Sequence, residues 1–175
     1  MKLRENIFTT LLLAIGLIIH HITPGILGGM KFDFLLIFMT VAIILNPKFK
    51  NTLLTGMLAG ILSAMTTSFP GGQIPNLIDK MLASITIFLL IHLFMRLKDN
   101  KIIIALIGAL ATFVSGTVFL ASASIIVGLP LPMMAMMTSI VIPTAAVNTV
   151  GTVFIYNTVK IALRRRGIKL VNQES

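Results

Sequence analysis

The chain has 175 residues, of which 57% are hydrophobic and 11% charged, and its mean hydropathy is +1.03. Soluble domains are typically about 45–50% apolar and about 25% charged, so this chain has too few polar residues to cover a water-facing surface. Lipid accepts apolar side chains at a protein surface, and the composition therefore predicts a membrane-embedded protein. The net charge of +9 is expected to mark cytoplasmic loops rather than a nucleic-acid-binding surface.

Length and motifs exclude several classes of protein. One membrane span takes about 20 residues, so the chain has room for about six spans and no extramembrane domain. We expect a single transmembrane domain over residues 1–175. No glycine-rich phosphate loop is present, and any ATP must therefore be used by another polypeptide. The chain has no cysteine, which excludes disulfides and thiol chemistry.

Six apolar runs follow one another along the chain, at residues 7–23, 34–45, 52–69, 77–94, 102–127 and 133–163. Each predicts a helix, because backbone exposed to lipid must satisfy its own hydrogen bonds. The second run is short for a full span unless residues near Lys31 belong to it, and Pro143 is expected to bend the sixth. The predicted fold is an all-α membrane protein with six transmembrane helices.

The positive charges predict the orientation. Every Lys and Arg except Lys31 and Lys80 lies before run 1, between runs 2 and 3, between runs 4 and 5, or at the C-terminal end. Excess Lys and Arg marks cytoplasmic segments, so both termini are expected in the cytoplasm. The residues concerned are Lys2, Arg4, Lys48, Lys50, Arg96, Lys98, Lys101, Lys160, Arg164, Arg165, Arg166 and Lys169.

The outer connections are chemically different from the cytoplasmic ones. Residues 24–33, 70–76 and 128–132 are rich in glycine and proline, whereas the turn at 46–51 is short and basic. Glycine and proline favour loops of defined shape, and binding residues commonly lie on loops held by a rigid scaffold. We therefore expect a binding site on the outer side.

Polar side chains near these loops are suited to a zwitterionic amino acid. Two cations, two anions and two amides are candidate substrate-binding residues: Lys31, Lys80, Asp33, Asp79, Gln73 and Asn76. A cation would meet the substrate carboxylate and an anion its ammonium group. The alternative is that these are solvated charges at the interface, but ionisable residues beside apolar helices are commonly functional.

Four further residues join the candidate site or its vicinity. His20 and His21 end the first helix, where one would line the site and the other anchor at the interface; as a titratable pair they also allow proton coupling. Met30 lies in the first outer loop. Asn148, in the middle of the sixth run, is expected to hydrogen-bond a neighbouring helix, with substrate contact as the alternative.

Small residues recur every four positions in the third and fifth runs. They are Thr52, Gly56, Gly60, Ala64 and Ser68, and Gly108, Thr112 and Gly116. This spacing lets two helices approach closely in a bilayer.

No serine with a neighbouring base and no HExxH-type motif is present. We therefore predict no enzyme activity, no cofactor and no metal site.

Three segments carry a resemblance to a known family. The sequences GGMKFD at 28–33, FPGGQIPNLIDK at 69–80 and FLASASIIVGLP at 119–130 resemble the bacterial tryptophan transporter family of Firmicutes, and the resemblance covers nearly the whole chain. That family is thought to be related to the substrate-binding S components of energy-coupling-factor transporters.

The resemblance implies a multi-pass protein of the bacterial cell membrane that captures tryptophan outside the cell. Its implied partners are membrane lipid, a transmembrane coupling protein and two cytoplasmic ATPase subunits, with no nucleic acid. S components often carry Ala-x-x-x-Ala on the first helix for docking, and the nearest match here runs from Thr10 to Ala14.

Three alternatives stay open. The same scaffold would suit a vitamin or another small nutrient. A solitary proton-coupled tryptophan carrier would use His20 and His21. A membrane scaffold or regulatory subunit would bind no small molecule at all.

Overall fold

A computed structural model describes residues 3–26, 28–94 and 100–165. These residues form six helices and no strand: α1 (Leu3–Ile22), α2 (Phe34–Leu45), α3 (Phe49–Met65), α4 (Gln73–Leu93), α5 (Lys101–Ile126) and α6 (Met133–Arg165). The predicted helical class is confirmed for this part of the chain. By length and apolar composition, α4, α5 and α6 qualify as membrane-crossing helices, while α1 and α2 contain shorter apolar segments.

Helix α2 lies at the centre of the bundle. All of its 12 residues except the first are buried, and it packs against each of the other five helices. A helix that is apolar on every side is expected to be enclosed by protein or lipid. Lys31 does not extend it, because the helix begins at Phe34 behind the N-cap residue Asp33.

Glycines permit the close packing of α3 on α4. A Cβ atom at Gly56 would collide with Ser84, and one at Gly60 would meet the Leu77 side chain at 2.9 Å. On α5, a Cβ at Gly108 would lie 2.8 Å from the Thr152 hydroxyl of α6. The predicted small-residue faces therefore serve contacts between helices within the bundle.

Two of the helix boundaries that differ from the prediction lie near the candidate site. Helix α3 ends at Met65, so Ser68 lies outside it. Helix α4 begins at Gln73, one turn earlier than expected, because the proline at position 75 falls in the first turn, where its missing N–H breaks no helical bond. Gln73 and Asn76 therefore belong to the helix and not to the preceding loop.

Helix α6 is irregular just before Pro143, where the sequence predicted a bend. Its α-helical first turn (Met133–Met136) leads into a π-helical turn (Met137–Val141), which is followed by the α-helix Ile142–Arg165. Pro143 lies just behind the π-helical turn, where its missing N–H removes a regular i→i−4 bond. Such turns are frequent at functional sites.

The two ends of the bundle differ in charge. At one end Phe49 of α3 packs edge-on against Phe88 near the end of α4. The connection between α2 and α3, the start of α5 and the end of α6 share this end and carry the basic residues Lys48, Lys50, Lys101, Arg164 and Arg165. Lys2, Arg96, Lys98, Arg166 and Lys169 lie outside the described residues. The opposite end contains the candidate site.

Candidate functional site

A cavity of about 550 Å³, including its opening, lies at the end of the bundle that is poor in basic residues. Its wall is formed by the end of α1, the start of α2 and α4, the second half of α5 and the π-helical turn of α6. The enclosed part, where the centre of a water molecule can be placed, is only about 60 Å³. A metabolite would therefore occupy the opening as well as the enclosed part.

Its deep side is a cluster of charges around Lys80 of α4. The Lys80 ammonium nitrogen lies 2.6 Å from Asp33 Oδ2 and 2.7 Å from Asp79 Oδ1. Ser115 of α5 donates a hydrogen bond of 2.6 Å to Asp79 Oδ1. The cluster thus connects the start of α2 with α4 and α5 in the interior of the bundle.

The cluster is buried and contains two carboxyl groups for one ammonium. Lys80 and Asp79 are each 1% exposed, and a buried charge is tolerated only when it is paired. The Lys80 ammonium and the Leu36 N–H stabilise the ionised Asp33 carboxylate against the cost of burial.

Asp33 is fixed by its position as N-cap of α2. Its Oδ1 accepts a hydrogen bond of 3.2 Å from the Leu36 N–H, which satisfies one of the free donors at the helix start. Asn148 of α6 donates to the backbone oxygen of Asp33 and to the hydroxyl of Thr112 on α5, both at 3.1 Å. The carboxylate is therefore held by α2 and by Lys80 of α4, and the backbone of Asp33 is held by α6.

A second part of the cavity wall is aromatic and apolar. The rings of Phe69 and Phe119 meet edge to face with 5.3 Å between centroids, and both line the cavity with Met30, Ile140 and Val141. All of these except Ile140 belong to an apolar cluster separate from the main core around α2. An aromatic ring could lie against this wall.

The opening is shaped by two loops in contact. Lys31 lines the cavity and donates a hydrogen bond of 2.8 Å to the Thr66 carbonyl, which ties the first outer loop to the end of α3. Gly29 has a φ of +83°, and a Cβ there would collide with the Ser68 carbonyl. Only glycine allows both this conformation and this approach.

The structure brings most of the predicted site residues together. Those lining the cavity are His20, Met30, Lys31, Asp33, Asn76 and Asp79. Lys80 lies beside them, bound to both carboxylates, and Asn148 makes the predicted hydrogen bonds between helices without lining the cavity. The side chains of His21 and Gln73 are exposed and do not line it.

Sequence reasoning did not select Ser115, Phe69 or Phe119 as site residues. Phe69 and Phe119 each begin a segment that carries the family resemblance, which was the available signal. Ser115 is one of several hydroxyl residues on an apolar helix, and nothing in the sequence separates it from the others. No group of three potential metal ligands from His, Cys, Asp and Glu occurs among the described residues.

We predict that Lys80→Met strongly destabilises the protein, because Asp33 and Asp79 would be left buried without their cation. The expected loss is about 3–5 kcal/mol in the free energy of unfolding, measured by thermal or denaturant unfolding in detergent. Adding Asp33→Asn and Asp79→Asn to Lys80→Met should restore most of the stability. Lys50→Met, at an exposed position, serves as the control, and an equal small effect of Lys80→Met and Lys50→Met would contradict the assigned pairing.

The comparisons with known proteins agree on one family. The model of the family described as "Tryptophan transporter TrpP" matches residues 2–164. A "Probable tryptophan transport protein" of Bacillus subtilis (strain 168) is 43% identical over 165 residues, which cover 94% of this chain and 95% of that protein. A protein of the same description from Clostridium perfringens (strain 13 / Type A) is 41% identical over 181 residues, covering 96% and 100%. No solved structure matches the chain. The chain is thus a multi-pass bacterial membrane protein that belongs to the tryptophan transporter TrpP family.

Proposed function

We propose that the chain is a non-enzymatic subunit for tryptophan uptake, which captures the amino acid in the cavity from outside the cell. The observation that carries this proposal is the combination within one cavity of two carboxyl groups, a lysine at the opening and an aromatic wall. Relatives named as probable tryptophan transport proteins support the same substrate.

Each part of tryptophan has a counterpart in the cavity. The ammonium group would bind at Asp33 and Asp79, which offer two carboxyl groups against the one ammonium of Lys80. The carboxylate would meet Lys31, because Lys80 is already bound by both carboxylates. The indole ring would lie against Phe69 and Phe119, with a further sulfur contact from Met30.

The orientation in the membrane is part of the proposal. Six spans with both termini in the cytoplasm would place the cavity outside, because the basic residues lie at the opposite end of the bundle. Helix α2 is too short to cross alone, and its enclosure by the other helices supports counting it as a span inside the protein.

Tryptophan is expected to stabilise the purified protein selectively. A ligand that binds only the folded state, at 100 times its dissociation constant, stabilises it by about 2.7 kcal/mol. Thermal unfolding with tryptophan, phenylalanine, tyrosine and riboflavin measures the effect. Asp33→Asn should lower the affinity about tenfold or more, since a charge-assisted bond is lost, while its amide oxygen keeps the cap of α2.

Gln73→Ala is the matched control for Asp33→Asn, because Gln73 lies on the same side of the bundle but outside the cavity lining. Its affinity for tryptophan should equal that of the wild type. A stability shift with another nutrient but not with tryptophan would reject the substrate. If no ligand raises the unfolding temperature, a membrane scaffold that binds no small molecule would be favoured.

The absence of cysteine from the chain permits a clean test of orientation. A single Ser68→Cys variant should react in intact cells with a membrane-impermeant thiol reagent, because this exposed residue borders the cavity. Lys50→Cys, at the basic end, should react only after the membrane is permeabilised. The reverse pattern would overturn the proposed orientation.

The source of energy is proposed to be a partner ATPase module reached through a coupling protein. Liposomes that contain this chain alone should therefore bind tryptophan without accumulating it when a proton gradient is imposed. Uptake should appear only when the coupling and ATPase subunits are also present. Accumulation by the chain alone, abolished when His20 and His21 are replaced, would instead establish a solitary proton-coupled carrier.

A further inference from the structure

His20 differs from the other buried polar side chains of the cavity. Asn76 accepts a hydrogen bond of 2.7 Å from Ser63 and donates one of 2.8 Å to Gly72 O. The Thr112 and Thr144 hydroxyls donate to the backbone of their own helices. His20 is 4% exposed and lines the cavity, yet its buried Nδ1 has no hydrogen-bond partner among the described residues.

The surroundings of His20 indicate which ring nitrogen carries the proton. Nδ1 lies 3.6 Å from Asp33 Oδ1. This is beyond hydrogen-bond distance, but it is close enough for the charge of the carboxylate to determine which ring nitrogen carries the proton. A lone pair facing a carboxylate is repelled, whereas an N–H is attracted. The neutral ring therefore carries its proton on Nδ1 and keeps the lone pair of Nε2 as its acceptor.

The indole N–H of tryptophan is the polar group that suits this acceptor. The ammonium and carboxylate of tryptophan have charged counterparts in Asp33, Asp79 and Lys31. The indole N–H is neutral and donates one hydrogen bond, so a neutral acceptor inside the cavity would pair with it. Among the lining side chains that the structure describes, His20 alone has a ring nitrogen, and with the proton on Nδ1 its Nε2 is a neutral acceptor.

We propose that His20 accepts the hydrogen bond of the indole N–H and thereby makes the site prefer tryptophan to phenylalanine. This inference rests on the proposed function and adds a residue that determines specificity. A buried acceptor disfavours a ligand that lacks the matching donor, because the acceptor would then be left without water and without a hydrogen-bond partner. Apolar contacts with Phe69 and Phe119 alone would separate the two rings poorly.

The test compares tryptophan with its benzothienyl analogue, in which sulfur replaces the indole N–H and the shape is nearly kept. Dissociation constants are measured by calorimetry on the purified full chain. The wild type should bind the analogue about tenfold or more weakly than tryptophan, the factor expected when a buried hydrogen bond is lost. In His20→Phe or His20→Met this ratio should fall to about one.

Two variants are the controls. His21→Phe changes the neighbouring, exposed histidine and should keep the ratio of the wild type. His20→Gln offers an amide oxygen as acceptor and should retain part of the preference for tryptophan over the analogue. This variant also tests the inference if an apolar residue at position 20 prevents folding.

The outcomes separate this inference from the proposed function. An unchanged ratio in His20→Phe, or equal loss of both ligands, would mean that His20 only orients Asp33 and would overturn the inference alone. A wild type that does not distinguish the two ligands would overturn it as well. A wild type that binds no tryptophan would overturn the proposed function and this inference with it.

Discussion

The burial of Lys80 is the constraint on which the site depends. An ammonium group inside an apolar bundle is stable only when carboxylates surround it, and here Asp33 and Asp79 do so at 2.6 and 2.7 Å. Asp33 is the N-cap of α2, while Asp79 is held by Ser115 of α5. Satisfying one charge therefore fixes the start of α2 relative to α4 and α5, and both carboxyl groups line the cavity.

The position of Asp33 also explains why a cavity exists. Helix α2 has 12 residues, which at 1.5 Å per residue span about 18 Å, against a hydrocarbon thickness of about 30 Å. Because this central helix is short, the volume beyond its first turn is not filled by helix. The loops at this end of the bundle close over that volume, where Gly29 lets them approach, and the remainder is the cavity. The cavity thus exists because the central helix is short.

The two sides of the cavity divide the work of recognition. Charged groups lie deep, where low dielectric strengthens their interactions, and the edge-to-face pair of Phe69 and Phe119 forms another part of the wall. A ligand in this cavity would therefore meet charged groups and aromatic rings together. His20 stands next to Asp33, and its Nδ1 has no hydrogen-bond partner among the described residues.

The sequence by itself determined the membrane class, the helical elements and the limits of α2, because bilayer thickness and backbone hydrogen bonding act locally along an apolar run. It also pointed to Asp33, Asp79 and Lys80, since charges beside apolar helices are rare enough to be informative. It did not reveal that Lys80 is bound by both carboxylates, nor that His20 faces the cavity while His21 does not. Adjacent residues on a helix point in directions about 100° apart, and only the packing of α1 against α2 decides which of the two is enclosed.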